Sequence, residues 1–401
     1  MGKEDDTVVR IIWDCMILMD TTFGVDELIQ IAKRENNQIR NYLYVNPIQG
    51  KHIPVSPTLS LTLFKALAEK VEKTYQDESL LVIGFAETAT AIGATIAYSA
   101  HNVKYYMNTT REDIPGAEYL FFTESHSHAT EQRLVINGLS EILTQVDRIV
   151  FAEDEVTTGN TIEKLIKVLK EEYGGSTEFG IISILNSMPE QRLQEIVSAG
   201  VGVDYLHRVP VEYRIHEMDR HIYEPLSDSL YEKREMPADR IQTGDYWNCR
   251  TAADTETMRL RCDAFAEQVL KRVPAISAAG SILILGTEEF MFPGIMAGHL
   301  IERQWKKTKV RFHATTRSPI EISSDEDYPL HNRSSLRSLY GTNRKTFIYN
   351  LEKYDLVLII TDAVPVQENG LRDLTGALEK YGNINMILIQ WGDFDHAEQL
   401  L

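Results

Sequence analysis

The segment Glu153-Asp154-Glu155-Val156-Thr157-Thr158-Gly159-Asn160-Thr161 holds the most specific chemistry in the chain. It lies between an apolar run, Asp147 to Ala152, and a run from Ile162 to Leu169 whose apolar residues recur at i, i+3, i+4 and i+7. A strand-to-helix turn of this kind aims backbone N–H groups and the positive end of a helix at an anion. Gly159 permits tight curvature, and Thr157, Thr158 and Thr161 add hydroxyl donors around Asn160. A phosphate monoester could be surrounded there without any lysine. Glu153 and Asp154, at the carboxyl end of the strand, can accept hydrogen bonds from vicinal hydroxyls. Two acids followed by a phosphate cradle describe a ribose 5-phosphate. The competing reading is a capped helix after an acidic turn.

Four further segments could act with it. Gly84 to Gly93 also runs from a strand into a helix; its small residues let a ligand approach the backbone, and Glu87, Thr88 and Ala89 form the turn. A small-residue helix packed on a sheet explains that run as well. Arg111 follows Asn108-Thr109-Thr110 and can grip phosphate oxygens bidentately, or be a surface arginine. Phe122 to Thr130 contains Glu124, His126 and His128, which fit catalysis or pyrophosphate binding, a His-x-His metal pair, or a solvated loop. In Gly50-Lys51-His52-Ile53-Pro54, Lys51 could reach a phosphate.

The acid pair and Thr-Thr-Gly-x-Thr resemble the phosphoribosyl pyrophosphate (PRPP) motif of type I phosphoribosyltransferases. Glu153 and Asp154 occupy its acid positions and Thr157 to Thr161 its 5-phosphate loop, while Glu155 replaces the usual aliphatic residue. The resemblance implies that residues 87–89 are the pyrophosphate loop, that Arg111 contacts pyrophosphate, and that residues 124–130 are a mobile catalytic loop. With Ala314-Thr315-Thr316-Arg317-Ser318-Pro319, the chain resembles orotate-phosphoribosyltransferase-like proteins of bacterial tellurium-resistance (stress-response) gene clusters, which carry a C-terminal domain named for its Thr-Arg-Ser-Pro signature. It implies Mg²⁺-dependent transfer from PRPP to an unidentified base-like acceptor, in making a nucleoside-like metabolite. Mg²⁺ would bridge pyrophosphate and ribose hydroxyls, with Glu153 and Asp154 nearby. A noncatalytic PRPP or nucleotide sensor, and a phosphoribosyl hydrolase or phosphorylase, are the alternatives.

These segments need a scaffold that brings successive strand ends to one edge. The chain has 401 residues, enough for two buried cores. Strands are expected at Ser79–Phe85, Val103–Met107, Asp147–Ala152 and Phe179–Leu185, then at Ser281–Leu285, Val310–Thr315 and Leu356–Thr361. Helices are expected over Asp26–Ala32, after Ser60 as a cap, from Thr90 to Tyr98, after Thr251, and near 293–304. The class is α/β with a mainly parallel sheet flanked by helices. Residues 1–225 are expected to form the PRPP-binding domain and 245–401 a second α/β domain.

The second half echoes the first. Gly84 parallels Gly286, Thr109 parallels Thr315 and Asp154 parallels Asp362, at offsets of 202, 206 and 208. A duplicated unit would have lost its own phosphate cradle, because Ala363-Val364-Pro365-Val366 follows Asp362. Arg317 and Arg333 are its candidates for anion binding, or surface arginines on a scaffold. The net charge of −18 argues against nonspecific contact with nucleic acid or an anionic membrane. Three cysteines, no leader and no spanning apolar run place the protein in a reducing cytoplasm, with a homodimer as the expected assembly.

Overall fold

Leu80–Gly84, buried at every position, runs near the middle of a six-stranded sheet. The structure is a computed structural model that describes residues 23–35, 40–122, 132–224, 239–342 and 344–392. Across this sheet the order is Ala253–Asp254, Val103–Asn108, Leu80–Gly84, Arg148–Val156, Glu178–Asn186 and Val201–Arg208. All neighbours are parallel except the short Ala253–Asp254 pair. A second, five-stranded parallel sheet has the order Asp239–Thr243, Met386–Trp391, Leu356–Thr361, Ser281–Gly286 and Lys309–Ala314. Near-continuous Val, Ile and Leu in the inner strands is what burial on both faces requires.

With the edge strand Asp239–Thr243 set aside, both sheets set their first strand between the second and third, with the fourth beyond the third. The turns agree in detail. Thr109 N–H donates to Gly84 O at 2.9 Å, and Thr315 N–H donates to Gly286 O at 3.1 Å. Ala86 N–H donates to Thr109 Oγ1 at 2.8 Å, and Glu288 N–H donates to Thr315 Oγ1 at 3.0 Å. Thr110 bridges Arg133 as Thr316 bridges Phe347. The second half therefore repeats the first half's central topology.

The two halves also meet reciprocally. Arg111 N–H donates to Glu289 Oε1 at 2.9 Å, and Arg317 N–H donates to Glu87 Oε2 at 3.1 Å. Arg111 matches Arg317 and Glu87 matches Glu289 in the two turns, so each half gives the other the same contact. That is the pattern of an isologous pair. Helix Thr90–Ser99 lies against helices Thr255–Arg272 and Phe292–Gln304, with Tyr98 Oη donating to Asp263 at 2.6 Å. One hydrophobic core runs from Leu81 through Phe292 to Ile360.

Two expected elements differ. The helix expected over Asp26–Ala32 is only Val25–Leu28; Gln30–Lys33 is a strand paired with Tyr42–Val45, which buries Ile31 and Ala32. The helix expected after Ser60 starts at Pro57, capped by Ser56 Oγ, because Pro57 presets the first-turn φ and lacks an N–H to leave unpaired. Strand Arg148–Val156 also runs four residues beyond Ala152, so the acids stand on the strand itself.

Candidate functional site

Strand register fixes the acids. Parallel pairing of Arg148–Val156 with Leu80–Gly84 and Glu178–Asn186 carries Glu153 to Glu155 past the end of the shorter neighbour Leu80–Gly84. Burial, then the charges of Asp154 and Glu155, push the Glu153 carboxyl well above the usual carboxylate range; Arg111 offsets this only in part. Asp154 Oδ1 accepts from Thr88 Oγ1 at 2.9 Å, which ties the acid pair to the 84–89 turn. Burial raises Glu155 too, against a two-pronged grip from Arg40 Nη2 at 2.9 and 2.8 Å and from Ser187 Oγ at 2.8 Å.

The loop after the strand turns through Gly159 at φ 71° into helix Asn160–Tyr173. The left-handed backbone favours glycine, and a Cβ there would lie 2.7 Å from Ile196 Cδ1, so that side chain would have to shift. Thr158 is exposed and Thr157 and Thr161 are half-buried, so their hydroxyls are accessible around the helix N-terminus. Arg192 Nε donates to Thr158 O at 3.0 Å and its Nη2 to Asn160 Oδ1 at 3.3 Å, bracing the loop with a cation.

The 84–89 turn is held on every side. Gln49 Nε2 donates to Thr88 O at 2.9 Å, and Ala89 is fully buried at the start of its helix. Glu87 is also buried. Burial alone would raise it, but Lys51 and Arg317 outweigh this and hold the carboxyl below its usual range. Lys51 itself is fully buried and donates to Glu288 O at 2.6 Å and Thr315 O at 2.9 Å. The phosphate contact expected for Lys51 is therefore replaced by a tie between the turn and the second half. Arg111 lies between the groups: its side chain feels Glu87, Glu289, Arg317 and Arg344, and its Nε is buried without a partner among the described residues.

Arg317 and Arg333 do not present open anion sites. Arg317 Nε donates to Glu288 Oε2 at 2.7 Å and its Nη2 to Glu112. Arg333 Nη1 donates to Glu35 Oε2 at 2.6 Å, over the Phe347 ring. Their anions are protein carboxylates. Around them Lys51, Arg111, Arg250, Arg317 and Arg344 face Glu87, Glu112, Glu288, Glu289 and Asp362, so the interface cluster is formally neutral. Glu124, His126 and His128 lie outside the described residues.

Residues 28–209 match the model of a phosphoribosyl transferase family, and residues 250–378 match the TRSP domain that stands C-terminal to it. Over these residues the chain is a phosphoribosyl transferase domain followed by its TRSP domain. No curated protein matches it. Among solved structures, adenine phosphoribosyltransferase from Giardia lamblia is 14% identical, over 45% of this chain and 94% of that one, with a TM-score of 0.33. The Rhodothermus marinus enzyme is 18% identical, over 46% and 96%, with a TM-score of 0.32. The Saccharomyces cerevisiae enzyme is 13% identical, over 46% and 96%, at 0.33. The transferase domain holds the acids, the threonine loop and the 84–89 turn; the TRSP domain supplies Arg317 and Glu289.

Reading the sequence missed Arg40, Gln49, Arg192 and Arg250. Each belongs to a charged or polar segment with no motif, and only tertiary packing brings it to the site. Among the described residues no cluster of three or more His, Cys, Asp or Glu is arranged to hold a metal ion, and no helix is long and apolar enough to cross a membrane.

Proposed function

We propose that the transferase domain binds PRPP at the end of strand Arg148–Val156 and moves its ribosyl 5-phosphate to a base-like acceptor. The bond from C1 of the ribose to pyrophosphate breaks, a C1–N bond forms, and the acceptor nitrogen gives up its proton. The observation that carries this reading is the contact of Thr88 with Asp154. It joins the turn suited to pyrophosphate with the acid pair suited to the ribose diol, directly before the threonine loop suited to the 5-phosphate.

Glu153 and Asp154 hold the ribose hydroxyls. Thr157, Thr158, Gly159, Asn160 and Thr161 anchor the 5-phosphate with amides, hydroxyls and the helix N-terminus, with Arg192 behind them. Glu87, Thr88 and Ala89, with Arg111, face the pyrophosphate. Fixing the sugar at both ends supplies the orientation that such a displacement needs. The donor set fits Mg²⁺ carried largely by the substrate's own oxygens, since this ion uses one or two carboxylates plus phosphates and keeps several waters. Glu153 and Asp154 would be those carboxylates, and the ion would neutralise the departing pyrophosphate. Glu124, His126 and His128 remain candidates for the covering loop. A nucleoside-like product in the stress response follows from the sequence resemblance, and a cytoplasmic site of action from cysteine usage, with which free, buried Cys249 and Cys262 agree; a homodimer is the proposed assembly.

The test is pyrophosphate release from PRPP and Mg²⁺ against a panel of bases and small heterocyclic acids. Release with at least one acceptor is expected. Asp154→Asn should lower kcat/KM by about 10- to 100-fold, the worth of one charge-assisted hydrogen bond. PRPP binding with no release from any acceptor would refute transfer.

A further inference from the structure

The strand end in the second half has kept its position and lost its phosphate loop. Asp362, the counterpart of Asp154, runs directly into Ala363, Val364 and Pro365. A cavity of about 190 Å³ remains there, walled on its far side by residues 112–115 of the first half. It lies outside the carboxyl ends of parallel strands, where open α/β sheets hold their ligands.

The polar groups of this cleft divide sharply. Its buried acids are ringed by donors: Asp362 accepts from Tyr246 Oη at 2.7 Å, from Tyr340 Oη at 2.6 Å and from Arg250. One buried donor is left over, and two half-buried amides line the opening. Arg250 Nη2 is buried without an acceptor, and neither the Asn248 side-chain N–H groups nor the Gln367 carboxamide has a partner among the described residues. The Arg250 charge is already answered by Glu289 and Asp362. A bound anion would add an unanswered charge to a cluster that is already neutral, in a region of low dielectric, and a bound cation would find the Asp362 carboxylate taken. A neutral polar ligand meets neither objection. The Gln367 carboxamide offers a donor and an acceptor side by side, which matches a C=O next to an N–H. Tyr246 and Tyr340 supply aromatic surface for a flat ring.

We propose that this cleft binds an uncharged planar heterocycle with a lactam edge, of nucleobase type and without a phosphate group. The site is separate from the PRPP site and does not depend on the chemistry assigned to it.

Uracil and hypoxanthine are the probes, titrated into the full chain by calorimetry and by tryptophan fluorescence. Trp391 reports locally, since its ring meets Tyr246 edge-on at 5.8 Å. Saturable binding of at least one probe is expected. Gln367→Ala should weaken it about tenfold, the worth of one hydrogen bond to a polar group. Ile114→Trp, at the half-buried mouth, should abolish it. Both variants should keep wild-type circular dichroism and PRPP-dependent pyrophosphate release, so failure here and failure of the transferase reading are distinguishable. Binding that survives both variants would place the ring elsewhere and overturn the proposal. So would the absence of saturable binding, or displacement of the probe by ribose 5-phosphate or orthophosphate.

Discussion

Glu153 is the side chain whose state matters most to the first site. Burial and two neighbouring acids raise its carboxyl well above the ordinary range, which favours the protonated form in the free protein. The ionised carboxylate accepts hydrogen bonds from the two ribose hydroxyls more strongly than the acid does. PRPP binding is therefore expected to release a proton, and its apparent affinity to rise with pH. Calorimetry in two buffers of different ionisation enthalpy measures that proton; Glu153→Gln should remove it and cost little stability, since the amide resembles the protonated acid. An equal heat in both buffers would contradict the assignment. Glu155 behaves otherwise, because Arg40 pairs with it at 2.8 Å. Arg40→Met should destabilise the fold by about 1–3 kcal/mol in urea denaturation, since it leaves a buried acid unpaired, and Arg40→Met with Glu155→Gln should recover part of that loss.

Elements determine how much of this was legible in advance. The apolar runs at 80–84, 281–286 and 356–361 read directly as buried parallel strands, because burial on both faces leaves no polar alternation. The threonine loop was legible because Gly159 and its hydroxyl neighbours are local. What sequence could not give is pairing over long separations. Lys51 looked like a free cation and is instead buried 237 residues away in sequence from the carbonyl it meets. Arg317 stood in a named signature but spends its charge on Glu288 and Glu112. The loop's own geometry yields a direct test. Gly159→Ala places a Cβ 2.7 Å from Ile196 Cδ1 on a left-handed backbone, so it should lose about 1–3 kcal/mol and raise the KM for PRPP more than it lowers stability-corrected kcat. Unchanged KM would mean that the loop does not hold the phosphate.

The whole molecule behaves as one body because its two halves share a core and exchange the same contact. Reciprocal Arg–Glu hydrogen bonds, a neutral buried cluster and packed helices leave little reason for either half to open alone. A single calorimetric transition is expected, and two resolved peaks would refute it. The pH dependence of that transition follows from three buried histidines. Burial lowers His52 to about 3 and His299 and His313 to about 4, from 6.5 in the unfolded chain. Between those limits the unfolded chain binds more protons than the folded one, so stability must fall as pH falls. Each tenfold difference in proton affinity is worth about 1.4 kcal/mol per group. Two of the three, His52 and His313, belong to the contact between the Gly50 turn and strand Lys309–Ala314, where Val55 N–H meets Phe312 O at 3.0 Å. The loss should therefore begin below pH 6.5, before Glu87 and Glu289 are protonated, and should be strongest where the halves meet. His52→Gln and His313→Gln together should flatten the slope of melting temperature against pH between 6.5 and 4.5. A slope unchanged in that variant would assign the acid sensitivity to the carboxylates of the interface instead.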